Sequence, residues 1–413
     1  MSDGSRVAGT ARSAVVGAYD RLFVGRSRLQ QAVVGVVLLA ALGLTAAGVF
    51  APQSDAGRLF AVLTADSTLA ATLRLSVPIA FAALGGIFAE KSGVINIGLE
   101  GLLIIAAFVG IWATDVTGNV WYGLLGGVLA STLLALLFAI VCIEFRADQI
   151  IAGLAVWLIA LGLAPFLSSV IYGSKNTVSV DTFPTLTGMG IPFVSDFVTW
   201  ELGFVVELPD VGVVDLPVVG AVDLVPNVID LQSSLVGLPF FGALFDASPP
   251  VYLMLLAVAL SWYTLHRTAF GRWVEASGEN PKALDTAGVN VHRVRYGAVL
   301  LSGVLAGVGG AALALGVGQF TGNGPTMVNG KGFIAIVAYL FGNYHPVGAL
   351  GSTMLFAGLD ATQLTLQARD VFQVPTELVR TIPYITVIVV LAVFGRTRIP
   401  SAGGEHYESG EDE

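Results

Sequence analysis

Apolar runs dominate the chain and recur at lengths that suit a bilayer. They fall at residues 32–50, 68–88, 98–114, 120–142, 150–172, 250–267, 295–317, 331–343, 346–366 and 377–394. A helix needs roughly 20 apolar residues to cross a hydrocarbon core of about 30 Å. The pattern predicts an all-α polytopic membrane protein with about ten transmembrane helices. The run at 331–343 is too short to cross alone, which predicts a tilted, extended or broken helix. The first run follows Arg6, Arg12, Arg21, Arg26 and Arg28 and is long enough to span, so it reads as a signal-anchor helix.

The polar stretches between the runs set the organisation. Residues 1–30 form a basic cytoplasmic lead and 31–172 a first transmembrane half. Residues 173–249 form an extracytoplasmic loop with an insertion near 195–232. Residues 250–395 form a second half with an inside loop at 268–294, and 396–413 an acidic tail. Lys and Arg placement gives the orientation. With both termini cytoplasmic, the inside segments hold the five N-terminal arginines, Lys91, Arg146, Arg267, Arg272, Lys282, Arg293, Arg295, Arg396 and Arg398. The outside loops hold only Arg58, Lys175 and Arg369, while Arg74, Lys331 and Arg380 lie near span ends.

Composition agrees. The chain is 55% hydrophobic and 12% charged, with mean hydropathy +0.81, whereas soluble domains run near a quarter charged. The formal charge of −9 concentrates in the 173–249 loop and in Glu405–Glu413. Such acidic exposed segments suit a high-salt organism, or simply a solvated loop. Within the loop, Pro and alternating Val over Val205–Pro226 argue for short edge strands or extended turns, in either a small folded cap or a loose insert.

Three polar stretches could carry chemistry. Ala89-Glu-Lys-Ser-Gly-Val-Ile-Asn-Ile-Gly-Leu-Glu-Gly101 sets Glu90, Lys91, Asn96 and Glu100 between two apolar runs. Gly93, Gly98 and Gly101 loosen any helix there. It reads either as a broken, re-entrant turn exposing backbone and Asn96 to a polar solute, or as a plain cytoplasmic hairpin. Ser277–Val291 carries a local signature: Asn280 before Pro281 suits a helix start, and Gly288 a left-handed end. A short amphipathic helix over Lys282–Ala287 is expected, against the alternative of a basic loop that only sets topology. Gly316–Gly332, with Gln319, Thr321, Asn323, Thr326, Asn329 and Lys331, reads as a gate at the outer mouth or as a flexible turn. Glu100-Gly101 and Lys331-Gly332 each open an apolar run ending in glycine, at Gly110 and Gly342. In the assigned topology these run in opposite senses, as in an inverted repeat.

Catalysis finds no support. The sequence has no nucleophile elbow, phosphate loop or zinc spacing, and its four histidines are scattered. The single cysteine, Cys142, excludes a disulfide framework. No cofactor, metal or nucleic-acid partner is expected. If transport is driven by ATP, hydrolysis lies on another chain.

Three motifs together resemble the permease subunits of nucleoside and simple-sugar ABC importers. They are Leu84–Gly101, Gly278-Glu-Asn-Pro-Lys-Ala through Ala287-Gly288, and Gly330-Lys-Gly-Phe-Ile-Ala-Ile with Phe341-Gly-Asn-Tyr-His-Pro-Val-Gly-Ala. The resemblance covers roughly 68–395 apart from the insertion. It implies a second, paralogous permease enclosing a path, a cytoplasmic ATP-binding subunit and an extracytoplasmic solute-binding lipoprotein. It implies ATPase coupling through Glu279, Asn280, Pro281, Lys282, Ala283, Ala287 and Gly288. Asn96 is the foremost expected solute contact, followed by Glu100, with Gly98, Gln319 and Asn329 along the path. The wording of Asn96–Gly101 favours nucleosides over free sugars. The alternative is a secondary transporter or channel working without ATP, which has no need of the polar segment at Ser277–Val291.

Overall fold

The computed structural model describes residues 28–183, 247–369 and 399–408, with short strands between 199 and 230. The apolar run at 377–394 lies outside the described residues. Two compact units divide the chain, Met1–Ala65 with Thr362–Arg396, and Asp66–Ala361 with Thr397–Glu413. In the first, α1 (Arg28–Phe50) leads through Ser54 into α2 (Asp55–Leu63), and the Ser54 hydroxyl accepts the Gly57 N–H at 3.1 Å as an N-cap.

The second unit is built on helices. These are α3 (Asp66–Lys91), α4 (Leu99–Thr117), α5 (Val120–Ala139, continued by a π turn over Ile140–Glu144) and α6 (Gln149–Tyr172). There follow α7 (Pro249–Arg267), α8 (Ala269–Glu279), α9 (Pro281–Thr286), α10 (Val291–Val317), α11 (Lys331–Phe341) and α12 (Pro346–Arg369), whose last turns belong to the first unit. Five of the described helices, namely α3, α4, α5 with its π turn, α6 and α10, are long and apolar enough to cross a membrane.

Short polar residues start these helices by satisfying backbone donors that no helix satisfies itself. Asn119 accepts from Trp121 N at 2.9 Å, Asp148 from Ile150 N and Ile151 N at 2.9 Å, and Asn290 from Arg293 N at 2.9 Å.

The core forms around α10, with α3, α4 and α5 packed on it. Apolar side chains gain little by leaving lipid for protein, so close backbone approach must supply the attraction. Glycines on α10 provide it. A β-carbon on Gly303 would lie 2.5 Å from the Ala135 methyl, on Gly307 2.7 Å from Val128 Cα, and on Gly310 2.3 Å from the Leu103 carbonyl oxygen.

Two of the described strands lie within Val205–Pro226, where the sequence predicts extended segments, one overlaps its start, and two fall just outside it. β1 (Thr199–Glu201) pairs with β2 (Gly203–Glu207), which pairs with β5 (Val228–Asp230). β3 (Val213–Leu216) pairs with β4 (Gly220–Asp223), and every pairing is antiparallel.

Candidate functional site

α3 does not run on into α4. Gly93, at φ 93°, turns the chain after Lys91, and residues 92–98 climb between the helices without joining either. They are largely buried and tied down. Gln149 of α6 accepts the Ile95 N–H at 2.7 Å. Asn96, 1% exposed, accepts from Gly98 N at 3.0 Å and donates Nδ2–H to Ser302 Oγ at 3.1 Å. At 1.5 Å per residue, Ser302 lies about 16 Å along α10 from Val291, so the break reaches well into the bundle. A hairpin resting in water does not describe this segment.

The far side of the break meets the start of α11. Glu100, 2% exposed in the first turn of α4, accepts the Gly330 N–H on Oε1 at 2.7 Å and the Gly332 N–H on Oε2 at 2.6 Å. Gly330 precedes α11 and has no side chain with which to cap it. The orphan donors at this helix start need an acceptor, and a carboxylate from 230 residues earlier caps the helix. The carboxylate also sits where two positive helix ends converge, and the buried Lys331 adds a nearby positive charge. Closeness is enforced by glycine: a β-carbon on Gly332 would lie 2.4 Å from the Glu100 nitrogen.

From this junction the two helices leave in opposite senses. α4 runs toward Phe320, whose ring lies 5.6 Å from that of Phe108. α11 runs toward Glu90 near the end of α3, where Tyr339 donates to Oε1 and Tyr344 to Oε2, the latter at 2.7 Å. The two glutamates flanking the break therefore hold the two ends of one short helix.

Gly316–Gly332 joins the end of α10 to the start of α11. Gly318 ends α10, the next residues bridge to the segment after α6 through Asn176 and Thr321, and the chain then descends to Glu100. Gln319 donates to the Thr177 carbonyl at 2.7 Å. Asn329 is exposed with φ 48°, while Asn96, Gly98 and Glu100 are buried.

At the other end of α10 lies the polar segment. Asn280 Oδ1 accepts the Ala283 N–H at 3.0 Å, Pro281 is the first residue of α9, and Gly288 follows it with φ 81°. Lys282, Ala283, Thr286, Ala287 and Gly288 are exposed, and Leu284 alone of the helix is buried. Glu279 and Asn280, just before it, are exposed too.

The sequence does not show α8, which carries this segment. Its start is marked by Thr268, whose hydroxyl accepts the Gly271 N–H at 3.1 Å, a signal hidden by the glycines within. α8 grips the break directly. Lys91 Nζ pairs with Glu275 Oε1 at 2.5 Å, and Ser277 Oγ donates to the Ser92 carbonyl at 2.8 Å. A β-carbon on Gly278 would lie 2.3 Å from the Lys91 carbonyl oxygen.

Two histidines distant in sequence, His266 and His345, meet with ring centroids 5.3 Å apart. Burial, then the proximity of His266 and Lys91, holds the His345 imidazole below its usual pKa. Among the described residues no cluster of three metal-ligating side chains forms.

Comparison with known proteins fits this arrangement. The family model described as branched-chain amino acid transport system, permease component, matches residues 68–391. The guanosine ABC transporter permease protein NupQ of Bacillus subtilis is 34% identical over 83% of this chain and 96% of its own. The nucleoside ABC transporter permease protein NupC of Lactococcus lactis is 31% identical over 84% of this chain and 98% of its own. The putative glucose ABC transporter permease protein TsgC13 of Haloferax volcanii is 31% identical over 79% and 91%. No solved structure matches the chain.

Proposed function

Because this chain belongs to the family of branched-chain amino acid transport system permease components, we propose that it serves an ATP-driven importer of nucleosides, with simple sugars as the second choice of cargo. The observation that carries the choice is the near full-length similarity to permeases named for guanosine and nucleosides; the similarity to a putative glucose permease keeps sugars in view. The chain is a membrane transport subunit and not the ATPase, which is a separate subunit.

In this reading a cytoplasmic ATP-binding subunit docks on α9 and its flank, Glu279–Gly288. The exposed small residues Ala283 and Ala287 leave room for a groove to close on the helix. A push there passes through α8 to the break at Lys91–Gly98, and so to the Glu100 junction and α11. The path for solute runs past Asn96, Gly98, Glu100 and Asn329, with Gln319 toward its outer end. Asn96 retains one amide donor beyond its bonds to Ser302 and Gly98, which suits a hydroxyl or base edge without fixed charge. A second permease completes the path. The match of a further guanosine permease protein of B. subtilis, NupP, supports such pairing. A solute-binding lipoprotein delivers the cargo outside, and the acidic loop and tail suit a high-salt setting.

Introducing charge into the docking face tests the coupling role. Ala283→Glu is expected to leave membrane insertion intact and to lower guanosine-driven ATPase activity of the reconstituted complex at least about fivefold, since one misplaced side chain costs about 1–3 kcal/mol in a close-fitting contact. Native activity in that variant refutes docking on α9.

The orientation has its own check. Both termini are placed in the cytoplasm and residues 173–249 outside. In a Cys142→Ala background, a cysteine replacing Ser233 should react with a membrane-impermeant thiol reagent in intact cells. Labelling only after lysis reverses the topology.

A further inference from the structure

The family match ends at residue 391, yet residues 399–408 pack closely on the unit that carries α8 and α9. We propose that this C-terminal segment is a positioning strap that fixes α9 for its docking partner. The inference rests on the docking role assigned above to α9.

α9 has six residues, far fewer than the roughly 12–15 that make even a marginal helix by itself. Burying Leu284 gives it one apolar anchor, and its exposed side is left for a partner. A helix this short transmits a push only if its flanks fix its position. The C-terminal segment supplies ties on both sides of Asn280, where α8 gives way to α9. On the α8 side, Ala402 N donates to the Gly278 carbonyl at 2.8 Å and Ser401 Oγ to Glu279 Oε2 at 2.7 Å. On the α9 side, Tyr407 donates its hydroxyl to Asp285 Oδ2 at 2.9 Å, while its own carbonyl lies 3.0 Å from His292 Nε2 in the first turn of α10.

The middle of the strap is anchored to the break. Gly404 N donates to the Gly93 carbonyl at 3.0 Å. The buried Arg295 of α10 donates to the Glu405 carbonyl at 2.8 Å, so a charge that must be satisfied inside the protein holds the strap in place. The strap therefore joins α8, α9, α10 and the turn after α3 into one body. The surface pair of Arg146 and Glu408 at 2.7 Å adds little, as both side chains are about half exposed.

Cross-linking separates positioning from folding. Ala283→Cys in a Cys142→Ala background is joined by a bifunctional thiol reagent to the co-expressed ATP-binding subunit, and the yield is divided by the amount of permease in the membrane. Ser401→Ala with Tyr407→Phe removes two side-chain hydrogen bonds and should lower the yield at least about fivefold. Ending the chain after Arg398 should lower it at least about tenfold. If the shortened chain fails to accumulate, the double substitution decides. Equal yields with and without the strap's contacts overturn the strap and leave docking on α9 standing. No cross-link even with the strap intact removes the docking role, and the strap falls with it.

Discussion

Glu100→Ala is expected to cut the amount of assembled protein at least about tenfold. The substitution leaves the buried Gly332 N–H without an acceptor, at about 1–3 kcal/mol, and the half-buried Gly330 N–H as well, at a smaller cost. It also removes the negative charge from the place where the starts of α4 and α11 converge beside Lys331. A loss of this size exceeds the 1–2 kcal/mol that already changes cellular abundance several-fold. Glu100→Gln separates the two contributions. The amide keeps one oxygen for one N–H but turns an NH₂ toward the other, so an intermediate amount is expected. Asn96→Ala should behave differently. It orphans a single N–H, that of Gly98, and leaves the Glu100 cap and its charge in place, so most of the protein should assemble while guanosine uptake slows. Quantitative immunoblots of membranes, beside uptake measured across a range of guanosine concentrations, read both results. Native abundance in Glu100→Ala rules out the cap, and native uptake in Asn96→Ala rules out the proposed path.

Gly278→Ala is the second change with a large expected effect. Its new methyl would sit 2.3 Å from the Lys91 carbonyl oxygen and 3.2 Å from Gly93 N, both backbone atoms with little freedom to yield. α8 must then move off the break, weakening the Ser277–Ser92 bond and the Lys91–Glu275 pair. Overpacking of this kind costs about 1–3 kcal/mol. The helices should still insert and the ATPase should still bind, since the exposed side chains of α9 are unchanged. What should fail is the link: basal ATP hydrolysis persists, but its stimulation by guanosine drops at least about fivefold. If stimulation in Gly278→Ala complexes equals that of the native complex, force does not pass from α8 to the break.

What the sequence made legible is what is local. Asn280, Pro281 and Gly288 announce α9 because capping and left-handed turns are settled within a few residues. The run at 331–343 announces a helix too short to cross because length alone says so. The strands Val213–Leu216 and Gly220–Asp223 follow from alternating Val bounded by Pro. The partners of Glu100 are not legible, because they are backbone N–H groups of two glycines in the other half of the chain, and no side-chain pattern marks them. The same holds for Glu90, which reads as a charge at a helix end and turns out to accept from two tyrosines of a distant segment. α8 is hidden because Gly271 and Gly278, which allow its close contacts, are residues that argue against a helix. The sequence showed that the segment at 89–101 was unusual. Only the fold shows that its acids hold a helix made much later.

That separation bears on how the chain is made. Glu100 and its donors are 230 residues apart, and synthesis runs at about 5–20 residues per second. For roughly 12–46 seconds the first half therefore sits at the membrane with a carboxylate whose partners do not yet exist. During that interval the nascent half cannot adopt its final packing unless the acid stays in contact with water or is shielded by the insertion machinery. The junction that later steadies α11 thus also sets the order of biogenesis: α4 can be threaded early, but it is locked only when the glycines on either side of Lys331 arrive.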